Sequence, residues 1–297
     1  MKMVFKEKTF RKSSLDRISV INGIIQEYTD QGFSLTLRQL YYQLVSRDII
    51  PNNQKEYKKI SDLVSDARRA GLIDWYAIVD RTRYLRQFIH YSEPGEAVRR
   101  AANGYSIDLM EDQKIYMEVW VEKDALVDVV GKACEPYDIP YFACRGYTSD
   151  SELFQAGRRM RLKHMNGKQV VLLHLGDHDP SGVDMSRDIL TRLEMFGEIP
   201  GKIDFQRIAL NRDQIERYNL PANPAKKTDT RVKAYVEQYG TESWELDALE
   251  PKMLKELIQG TIVKYLDMDK FRKREVEEAE GRELLIKVAD NWNKLVV

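Results

Sequence analysis

The order of hydrophobic patterns along the chain predicts an α/β fold with a helical front part. Three amphipathic helical segments occupy the first 70 residues. After residue 113, strand-like apolar segments alternate with helical ones, which is typical of a parallel sheet covered by helices. The 297 residues, 43% of them hydrophobic, are enough for two domains that each bury a core.

The helical segments at the front each carry one apolar stripe. The first covers residues 15–28, the second residues 36–47 and the third residues 54–70. Ser34 or Thr36 is the expected N-cap of the second helix, because a hydroxyl side chain accepts a hydrogen bond from the first unpaired backbone N–H groups.

The third helix is expected to present a basic outward face, formed by Lys58, Lys59, Arg68 and Arg69. The following segment, LIDWYAIVD at residues 72–80, is predicted to be a strand, and an Arg-Thr-Arg sequence comes next. This order predicts a winged helix that binds double-stranded DNA through the four basic side chains. The alternative is a helical bundle whose basic face is only solvated.

Charge is distributed unevenly, although the whole chain has 47 basic and 47 acidic side chains. Residues 1–100 hold 18 Lys and Arg against 12 Asp and Glu, whereas residues 101–190 hold 10 against 15. A basic front part and an acidic middle suit a DNA-binding part joined to a cation-binding part. A surplus of this size is also compatible with an ordinary solvated surface.

Nothing in the sequence predicts a membrane or secretory segment. No apolar run reaches the roughly 18 residues that span a bilayer, and the start MKMVFKEKTFRKSS lacks the apolar core of a secretory signal. We therefore expect a cytoplasmic protein with no membrane partner. Cys134 and Cys144 have no zinc-ligand spacing and are expected to be buried thiols.

Two adjacent tyrosines, Tyr41 and Tyr42, occupy different faces of the second helix. Tyr41 shares the apolar stripe with the leucines of this segment and is expected to be buried. Tyr42 falls off that stripe, and Arg38 lies one turn earlier on its side, within reach of the phenol oxygen. Tyr42 is therefore a candidate reactive hydroxyl.

Acidic residues stand at two predicted strand ends. Glu122 ends the first strand of the α/β part, and Asp177 and Asp179 follow the third strand in the turn GDHDPSG. Reactive groups gather at the carboxyl ends of parallel strands, and clustered carboxylates suit Mg²⁺ or Mn²⁺. The alternative is an ordinary acidic turn. His178, between the aspartates, is expected to be an exposed turn residue rather than a catalytic one.

Several motifs carry a resemblance to a known family. VEKDAL at residues 121–126 together with GDHDPSG at residues 176–182 resembles the Toprim fold of topoisomerases, bacterial primases and certain nucleases. TLRQLYY at residues 36–42 resembles the catalytic helix of the A subunit of topoisomerase VI, a type IIB topoisomerase, and of its eukaryotic relative that makes meiotic double-strand breaks. GTESWELDALEP at residues 240–251 is similar to the late Toprim region of these proteins. The short chain is most similar to the compact stand-alone Topo mini-A proteins of mobile elements.

The resemblance implies roles for the residues singled out above. Tyr42 is the implied nucleophile with Arg38 as its neighbour, and three acids are the implied ligands of Mg²⁺ or Mn²⁺. These acids are Glu122, Asp177 and Asp179. The implied reaction is attack of the phenol on a DNA phosphodiester, which makes double-strand breaks through a 5′-phosphotyrosyl intermediate. Lys123 either contacts the scissile phosphate or is a solvated lysine at the strand end.

The resemblance also implies a domain order. A winged-helix DNA-binding domain is expected at residues 1–92, a linker at 93–112, a Toprim domain at 113–265 and a C-terminal helical tail at 266–297. In the family the tyrosine of one protomer meets the metal of another, so we expect a homodimer on DNA in the nucleoid. An ATPase B subunit in trans is a candidate partner, because no GxxxxGK[ST] loop occurs in the sequence.

Two other functions fit the same residues. In the first, the protein is a Toprim endonuclease in which a metal-activated water cuts DNA and Tyr42 is only a DNA contact. In the second, it is a DNA-binding protein without catalysis, in which the carboxylates are structural. Formation of a covalent protein–DNA adduct distinguishes the transesterase from both.

Overall fold

The computed structural model describes residues 1–79, 88–224 and 231–295. The α-helices of these residues are α1 (Lys12–Asp30), α2 (Leu37–Ser46), α3 (Gln54–Arg69), α4 (Pro94–Asn103), α5 (Val127–Cys134), α6 (Asp150–Met165), α7 (Pro180–Gly197), α8 (Arg212–Tyr218), α9 (Val232–Tyr239), α10 (Pro251–Ile262), α11 (Met268–Asp290) and α12 (Trp292–Leu295). The strands are β1 (Ile115–Val121), β2 (Tyr141–Ala143), β3 (Gln169–Leu175), β4 (Ile203–Ala209), β5 (Asn223–Pro224) and β6 (Glu242–Ser243). Short 3-10 turns cover Asp124–Leu126, Glu135–Tyr137 and Leu246–Ala248.

The main sheet has four parallel strands in the order β2-β1-β3-β4, which confirms the α/β prediction. β1 and β3 are neighbours although β2 separates them in the sequence. Their last residues, Val121 and Leu175, are register partners. The segments that follow these two strands therefore leave the sheet side by side, where the sequence predicted an acidic cluster.

Side chains that alternate along the strands build two apolar layers, one on each face of the sheet. One face of β1 contributes Val119 and Val121 to a core with α5, α10 and the front helices. The opposite face contributes Trp120 to a second core with α6 and α7. Both faces are therefore covered, as a parallel sheet requires.

The front helices form where their stripes predicted, and Thr36 caps α2 through a capping box with Gln39. The buried stripe of α3 contains Ile60, Val64 and Ala67. These side chains belong to the same apolar cluster as one face of the sheet, so the front part and the sheet share a core. The division at residue 92 stays a prediction.

The expected linker at 93–112 contains α4, whose packing partner is α11. α10 packs against α5, a helix that covers one face of the sheet. The two late helices α10 and α11 therefore contact the sheet layer and α4, respectively. Within the described ranges, none of the helices combines the length and the apolar character needed to cross a membrane.

The strand predicted at 72–80 is wrong for its described part, residues 72–79. This segment turns repeatedly and makes only one isolated bridge, between Leu35 and Ile78. The guanidinium of Arg68 donates to the carbonyl oxygens of Trp75, at 2.6 Å, and Ile78, at 3.2 Å. These carbonyls therefore bond to a side chain instead of to a neighbouring strand. The Arg-Thr-Arg sequence at 81–83 lies outside the described residues.

Candidate active site

Backbone hydrogen bonds at the ends of β1 and β3 bring the first two predicted acids together. The N–H of Glu122 donates to the carbonyl oxygen of Leu175 at 2.8 Å, which extends the ladder by one residue. The N–H of Asp177 donates to Oε2 of Glu122 at 2.9 Å. The Glu122 carboxylate thus lies against the backbone of the second acidic segment.

The third predicted acid, Asp179, begins α7. Its Oδ1 accepts the N–H of Gly182 at 2.7 Å, so Asp179 is an N-cap as well as a candidate ligand. A Cβ on Gly182 would lie 2.3 Å from the carbonyl oxygen of Asp177 and 3.0 Å from Oε2 of Glu122. Glycine at this position therefore allows the start of α7 to lie against the backbone of Asp177 and the carboxylate of Glu122.

A guanidinium from β4 holds the acidic segment in place. Arg207 donates to the carbonyl oxygens of Gly176 at 3.0 Å, Asp177 at 2.6 Å and Gly182 at 3.0 Å. It also donates to the hydroxyl of Ser186 at 2.5 Å. Burial lowers the pKa of Arg207, opposed by the nearby acids. Arg207 was not predicted as a site residue, because its contacts form only once β4 lies beside β3.

Lys123 occupies the centre of the acidic cluster. Its Nζ lies 3.0 Å from Oδ1 of Asp177, 2.9 Å from Oε2 of Glu245 and 3.0 Å from Oδ2 of Asp247. The lysine side chain is 19% exposed, so the solvated alternative is wrong. Glu245 and Asp247 were not predicted as site residues. Their only signal was the position of WELDAL within a segment similar to the late Toprim region.

Burial and like charge shape the protonation of these groups. Burial, reinforced by the charge of Asp177, raises the pKa of Glu122. Burial also raises the pKa of Asp177, although Lys123 and the N–H of Leu246 oppose the shift. Burial disfavours the ammonium of Lys123, but the surrounding acids outweigh this effect and raise its pKa. Glu122 and Asp177 therefore hold their protons more strongly than free carboxyls do, whereas Lys123 keeps its positive charge.

The donor set has the chemistry that a hard divalent cation requires, because carboxylate oxygens are the ligands that Mg²⁺ and Mn²⁺ prefer. Oδ1 of Asp247 is buried and has no hydrogen-bond partner among the residues that the structure describes, which leaves an acceptor inside the cluster. In residues 1–79, 88–224 and 231–295, no three ligand side chains converge on one ion position, and the ammonium of Lys123 lies between the acids instead.

The two tyrosines differ as the helical pattern predicted. Tyr41 is 4% exposed, and its hydroxyl accepts the N–H of Asn53 at 2.8 Å. Tyr42 is partly exposed. Cζ of Arg38 lies 5.8 Å from the Tyr42 ring centroid, and Nζ of Lys123 lies 5.7 Å from it. The Tyr42 hydroxyl is the main reason that the pKa of Arg38 is raised.

Tyr42 faces a small cavity of about 40 Å³ whose other side is formed by Glu245, Asp247 and Ala248. A larger cavity of about 810 Å³ lies between α2, α3 and the turn after β1. Its cationic lining consists of Arg38, Arg68, Lys123 and Arg145. Two of the predicted site cations, Arg38 and Lys123, thus lie near the Tyr42 ring and also line the larger cavity.

The predicted basic face of α3 is only partly present. Lys58, Lys59 and Arg69 are exposed. Nζ of Lys59 donates to Oε1 of Glu56 at 2.6 Å. Arg68 was predicted to point outward, but this is wrong, because its guanidinium is half-buried and turned toward the Trp75 segment.

His178 is buried, so the expectation of an exposed turn residue is wrong. It forms an antiparallel bridge with Trp244, and its Nδ1 lies 2.8 Å from the hydroxyl of Tyr235. Tyr239 also packs edge-on against its ring. Burial lowers the pKa of His178 to about 4, which keeps the imidazole neutral at physiological pH. The residue ties the acidic segment to β6 and α9.

Comparison with models of protein families, with curated proteins and with solved structures found no match to this chain. The arrangement of its own side chains therefore carries the functional interpretation.

Proposed function

We propose that this chain is a metal-dependent DNA transesterase that resembles a type IIB topoisomerase A subunit. One observation carries the proposal: the Tyr42 ring lies within 6 Å of two cations, Arg38 at 5.8 Å and Lys123 at 5.7 Å, and Lys123 in turn pairs with the acid Asp177. Its neighbour Tyr41 is buried and hydrogen-bonded. A tyrosine used only for packing needs neither the cations nor the acids.

In the proposed reaction, the phenol oxygen of Tyr42 attacks the phosphorus of a DNA phosphodiester. The new bond joins the tyrosine to the 5′-phosphate, and the bond from phosphorus to the 3′-oxygen breaks. The phenol proton passes to solvent, and the departing 3′-oxygen gains a proton to become a hydroxyl. One phosphoester replaces another, so the break is reversible.

Arg38 and Lys123 have complementary roles in this proposal. A nearby cation stabilises the negative charge that the attacking phenol oxygen carries as the reaction proceeds. Arg38 lies one helical turn before Tyr42 and supplies that cation. Lys123 stands between Tyr42 and the acids, where it is suited to contact the scissile phosphate.

Glu122, Asp177 and Asp179 would hold the divalent cation, Mg²⁺ or Mn²⁺. Oδ1 of Asp247, which has no partner within the described part of the chain, is a further acceptor for it. When bound, the ion supplies charge neutralisation at the phosphate and at the departing 3′-oxygen. The protein's own contribution includes Arg207, which holds the backbone of the segment that carries Asp177 by donating to the carbonyl oxygens of Gly176 and Asp177.

The proposal includes double-stranded DNA as the substrate. The exposed side chains of Lys58, Lys59 and Arg69 offer phosphate contacts on α3, and the larger cavity adds Arg38 and Arg145 beside the acids. A symmetric homodimer would place one chain on each strand, giving a double-strand break. An ATPase B subunit in trans and a location at the nucleoid complete the proposed setting.

The test is plasmid cleavage in the presence of Mg²⁺ or Mn²⁺, stopped with detergent and analysed with and without proteolysis. Wild-type protein is expected to give DNA that enters the gel only after proteolysis. The Tyr42→Phe protein is expected to give none. Tyr41→Phe is the matched control, because it removes a phenol from the adjacent position in the core and should leave adduct formation intact.

Other outcomes would replace the proposal. Cutting that survives Tyr42→Phe and leaves no protein on the DNA indicates hydrolysis by water, as in a Toprim endonuclease. Binding without cutting by wild-type protein indicates a non-catalytic DNA-binding protein. Loss of adduct in both tyrosine variants indicates a folding defect in α2, which circular dichroism of each variant detects.

A further inference from the structure

We infer that His174 and Ser186 are positioning residues for the divalent cation, and that they act through the guanidinium of Arg207. The inference rests on the proposed function, because the cation is the one that the three predicted acids would hold. Neither residue has a part in the proposed reaction itself. Their side chains instead fix the guanidinium that holds the backbone of the acidic segment, residues 176–182.

The imidazole of His174 lies on the same face of the sheet as the side chain of Arg207. The two residues are register partners on β3 and β4, so their side chains leave the sheet on one side. Val170 and Leu172 precede His174 by even numbers of residues and pack into the second core, with α6 and α7. Ser186, which belongs to α7, meets the two strands from that side.

The hydroxyl of Ser186 contacts both the imidazole and the guanidinium. Nη1 of Arg207 donates to it at 2.5 Å, and Nδ1 of His174 lies 3.0 Å from it. The hydroxyl also lies 3.3 Å from the carbonyl oxygen of Gly182. A hydroxyl has one proton and two lone pairs, and a neutral imidazole can accept that proton or donate its own. The hydroxyl therefore links His174 to Arg207.

The burial of His174 indicates that its imidazole has a use other than packing. The residue is completely buried, and its Nε2 has no hydrogen-bond partner in the part of the chain that the structure describes. Burial and the charge of Arg207 lower the pKa of His174 to about 3, so the ring is neutral at physiological pH. A buried polar atom without a partner lowers stability, and an apolar side chain would avoid that loss. The contact of Nδ1 with Ser186 accounts for an imidazole here.

Gly176 brings these side chains against the acidic cluster. A Cβ at this position would lie 3.1 Å from Cε1 of His174, 3.2 Å from Nη1 of Arg207 and 3.0 Å from Oε2 of Glu122. Nη2 of Arg207 donates to the carbonyl oxygens of Gly176 and Asp177. A shift of the guanidinium would therefore move the backbone of Asp177, together with the N–H that it donates to Glu122.

Binding of Mn²⁺ in the absence of DNA tests the inference without using the reaction. The electron paramagnetic resonance signal of free Mn²⁺ falls as the ion binds, which gives a dissociation constant for each variant. We expect Ser186→Ala to weaken binding about tenfold, because groups that orient the ligands usually change metal affinity by roughly 10–100-fold. Ser186→Thr keeps the hydroxyl and should bind Mn²⁺ within about twofold of wild type.

Thr191→Ala is the matched control on the same helix. The hydroxyl of Thr191 donates to the carbonyl oxygen of Arg187, one turn earlier, in the same way that Ser186 reaches Gly182. Thr191 is exposed, so its substitution should leave Mn²⁺ binding unchanged. A loss of affinity in Ser186→Ala alone therefore reports the contacts that this hydroxyl makes beyond its own helix.

His174→Leu separates positioning from packing. Leucine has a similar volume and removes the unpaired Nε2, so we expect the variant to be at least as stable as wild type in urea. The substitution also removes a partner of the Ser186 hydroxyl, so Mn²⁺ binding should weaken by at least about threefold. A purely structural role would instead lower stability and affinity together. This variant decides the question if Ser186→Ala does not fold.

Adduct formation provides a second readout of the same variants. With DNA present, Ser186→Ala should need about tenfold more Mn²⁺ for half-maximal adduct formation and should reach the wild-type amount at saturating Mn²⁺. A lower maximum with an unchanged requirement for Mn²⁺ would contradict a positioning role toward the cation.

Three results of the binding experiment would overturn the inference. These are wild-type affinity for Mn²⁺ in both Ser186→Ala and His174→Leu, a parallel loss of stability and affinity in His174→Leu, and a wild-type protein that binds no Mn²⁺. Failure of the proposed function is a separate result. If wild-type protein binds Mn²⁺ but forms no covalent adduct with DNA, the proposed reaction is wrong, and the binding constants still decide the role of the two residues.

Discussion

Lys123 forms ion pairs with three acids of the candidate active site, and these partners come from distant parts of the sequence. Asp177, Glu245 and Asp247 all lie within 3.0 Å of its ammonium. Lys123→Met therefore leaves three carboxylates facing one another in a poorly solvated space. We expect a loss of about 3–5 kcal/mol in the free energy of unfolding at pH 7, the usual effect of removing one partner of a buried ion pair.

Denaturant unfolding of each variant measures this loss. Lys252→Met is the control, because Lys252 forms a surface pair with Glu256 and should change stability by no more than about 0.5 kcal/mol. Equal effects of the two substitutions would show that Lys123 does not balance buried charge.

The protonation of Glu122 gives a second prediction. Its pKa is raised above the ordinary value of 4.5, so the folded protein keeps a proton that the unfolded chain has released. More protons bound in the folded state means that stability falls as pH rises above 4.5, until the folded carboxyl also ionises. Glu122→Gln should remove this part of the slope while keeping an acceptor for the N–H of Asp177.

Urea unfolding from pH 4.5 upward tests the slope. Glu256→Gln serves as the control, because Glu256 is exposed on α10. This variant should show the same dependence of stability on pH as the wild-type protein. A slope that Glu122→Gln does not reduce would contradict the assignment.

The sequence distinguished Tyr41 from Tyr42 because helical periodicity alone decides which side of α2 faces the core. The same reasoning misplaced Arg68, because the segment after α3 turns back and offers it carbonyl oxygens. Glu245 and Asp247 lie more than 120 residues from Lys123 along the chain. No local pattern encodes that contact.

Among the structural elements, the segment between β3 and α7 has the tightest backbone geometry of the site. A Cβ at position 182 would meet the carbonyl oxygen of Asp177 at 2.3 Å, so Gly182→Ala must displace the acidic segment. We expect a loss of about 1–3 kcal/mol in stability together with weaker cleavage. Gly260→Ala in α10 is the matched control, because a Cβ there meets nothing within 4 Å.

Thermal unfolding of both glycine variants tests this prediction. Alanine at 260 should stabilise the exposed helix by up to about 1 kcal/mol through its higher helix propensity. If Gly182→Ala behaves like Gly260→Ala, the acidic segment has more room than the geometry indicates.

The helices and parallel strands were predictable because each has a clear hydrophobic period and suitable caps. The segment at 72–79 was not, since its apolar residues suit a strand while its backbone bonds to Leu35 and Arg68. His178 was misjudged for a related reason. Its burial comes from Trp244 and Tyr235, which a reading of the acidic turn alone does not include.

For the molecule as a whole, the shared core joins the front helices to the sheet. Leu40 of α2 and Leu173 of β3 are fully buried members of one apolar cluster. We therefore expect α2 and β3 to lose amide-exchange protection together as denaturant is added. Leu40→Ala should lower the stability of both by the same amount, about 2–5 kcal/mol.

Hydrogen exchange with mass spectrometry measures both elements in one experiment. If Leu40→Ala removes protection from α2 while β3 keeps its wild-type protection, the front part and the sheet unfold as separate domains. Loss of protection in both elements would show one shared core, which keeps Tyr42 beside Lys123.

The four-stranded parallel sheet could be predicted from the alternation of elements, and with it the meeting of Glu122 and Asp177 at adjacent strand ends. The position of α2 beside this edge of the sheet could not be predicted. It depends on which apolar surfaces pack against each other, and the sequence shows only that several surfaces are apolar. That position turns two separate motifs into one candidate site.

The most direct measurement is the identity of the residue that carries DNA. Protein–DNA adducts formed with Mn²⁺ are digested with nuclease and protease, and the peptides are analysed by mass spectrometry. We expect a nucleotide phosphate on Tyr42 in the peptide from α2. An adduct on another residue, or cut DNA with no modified peptide, would contradict it.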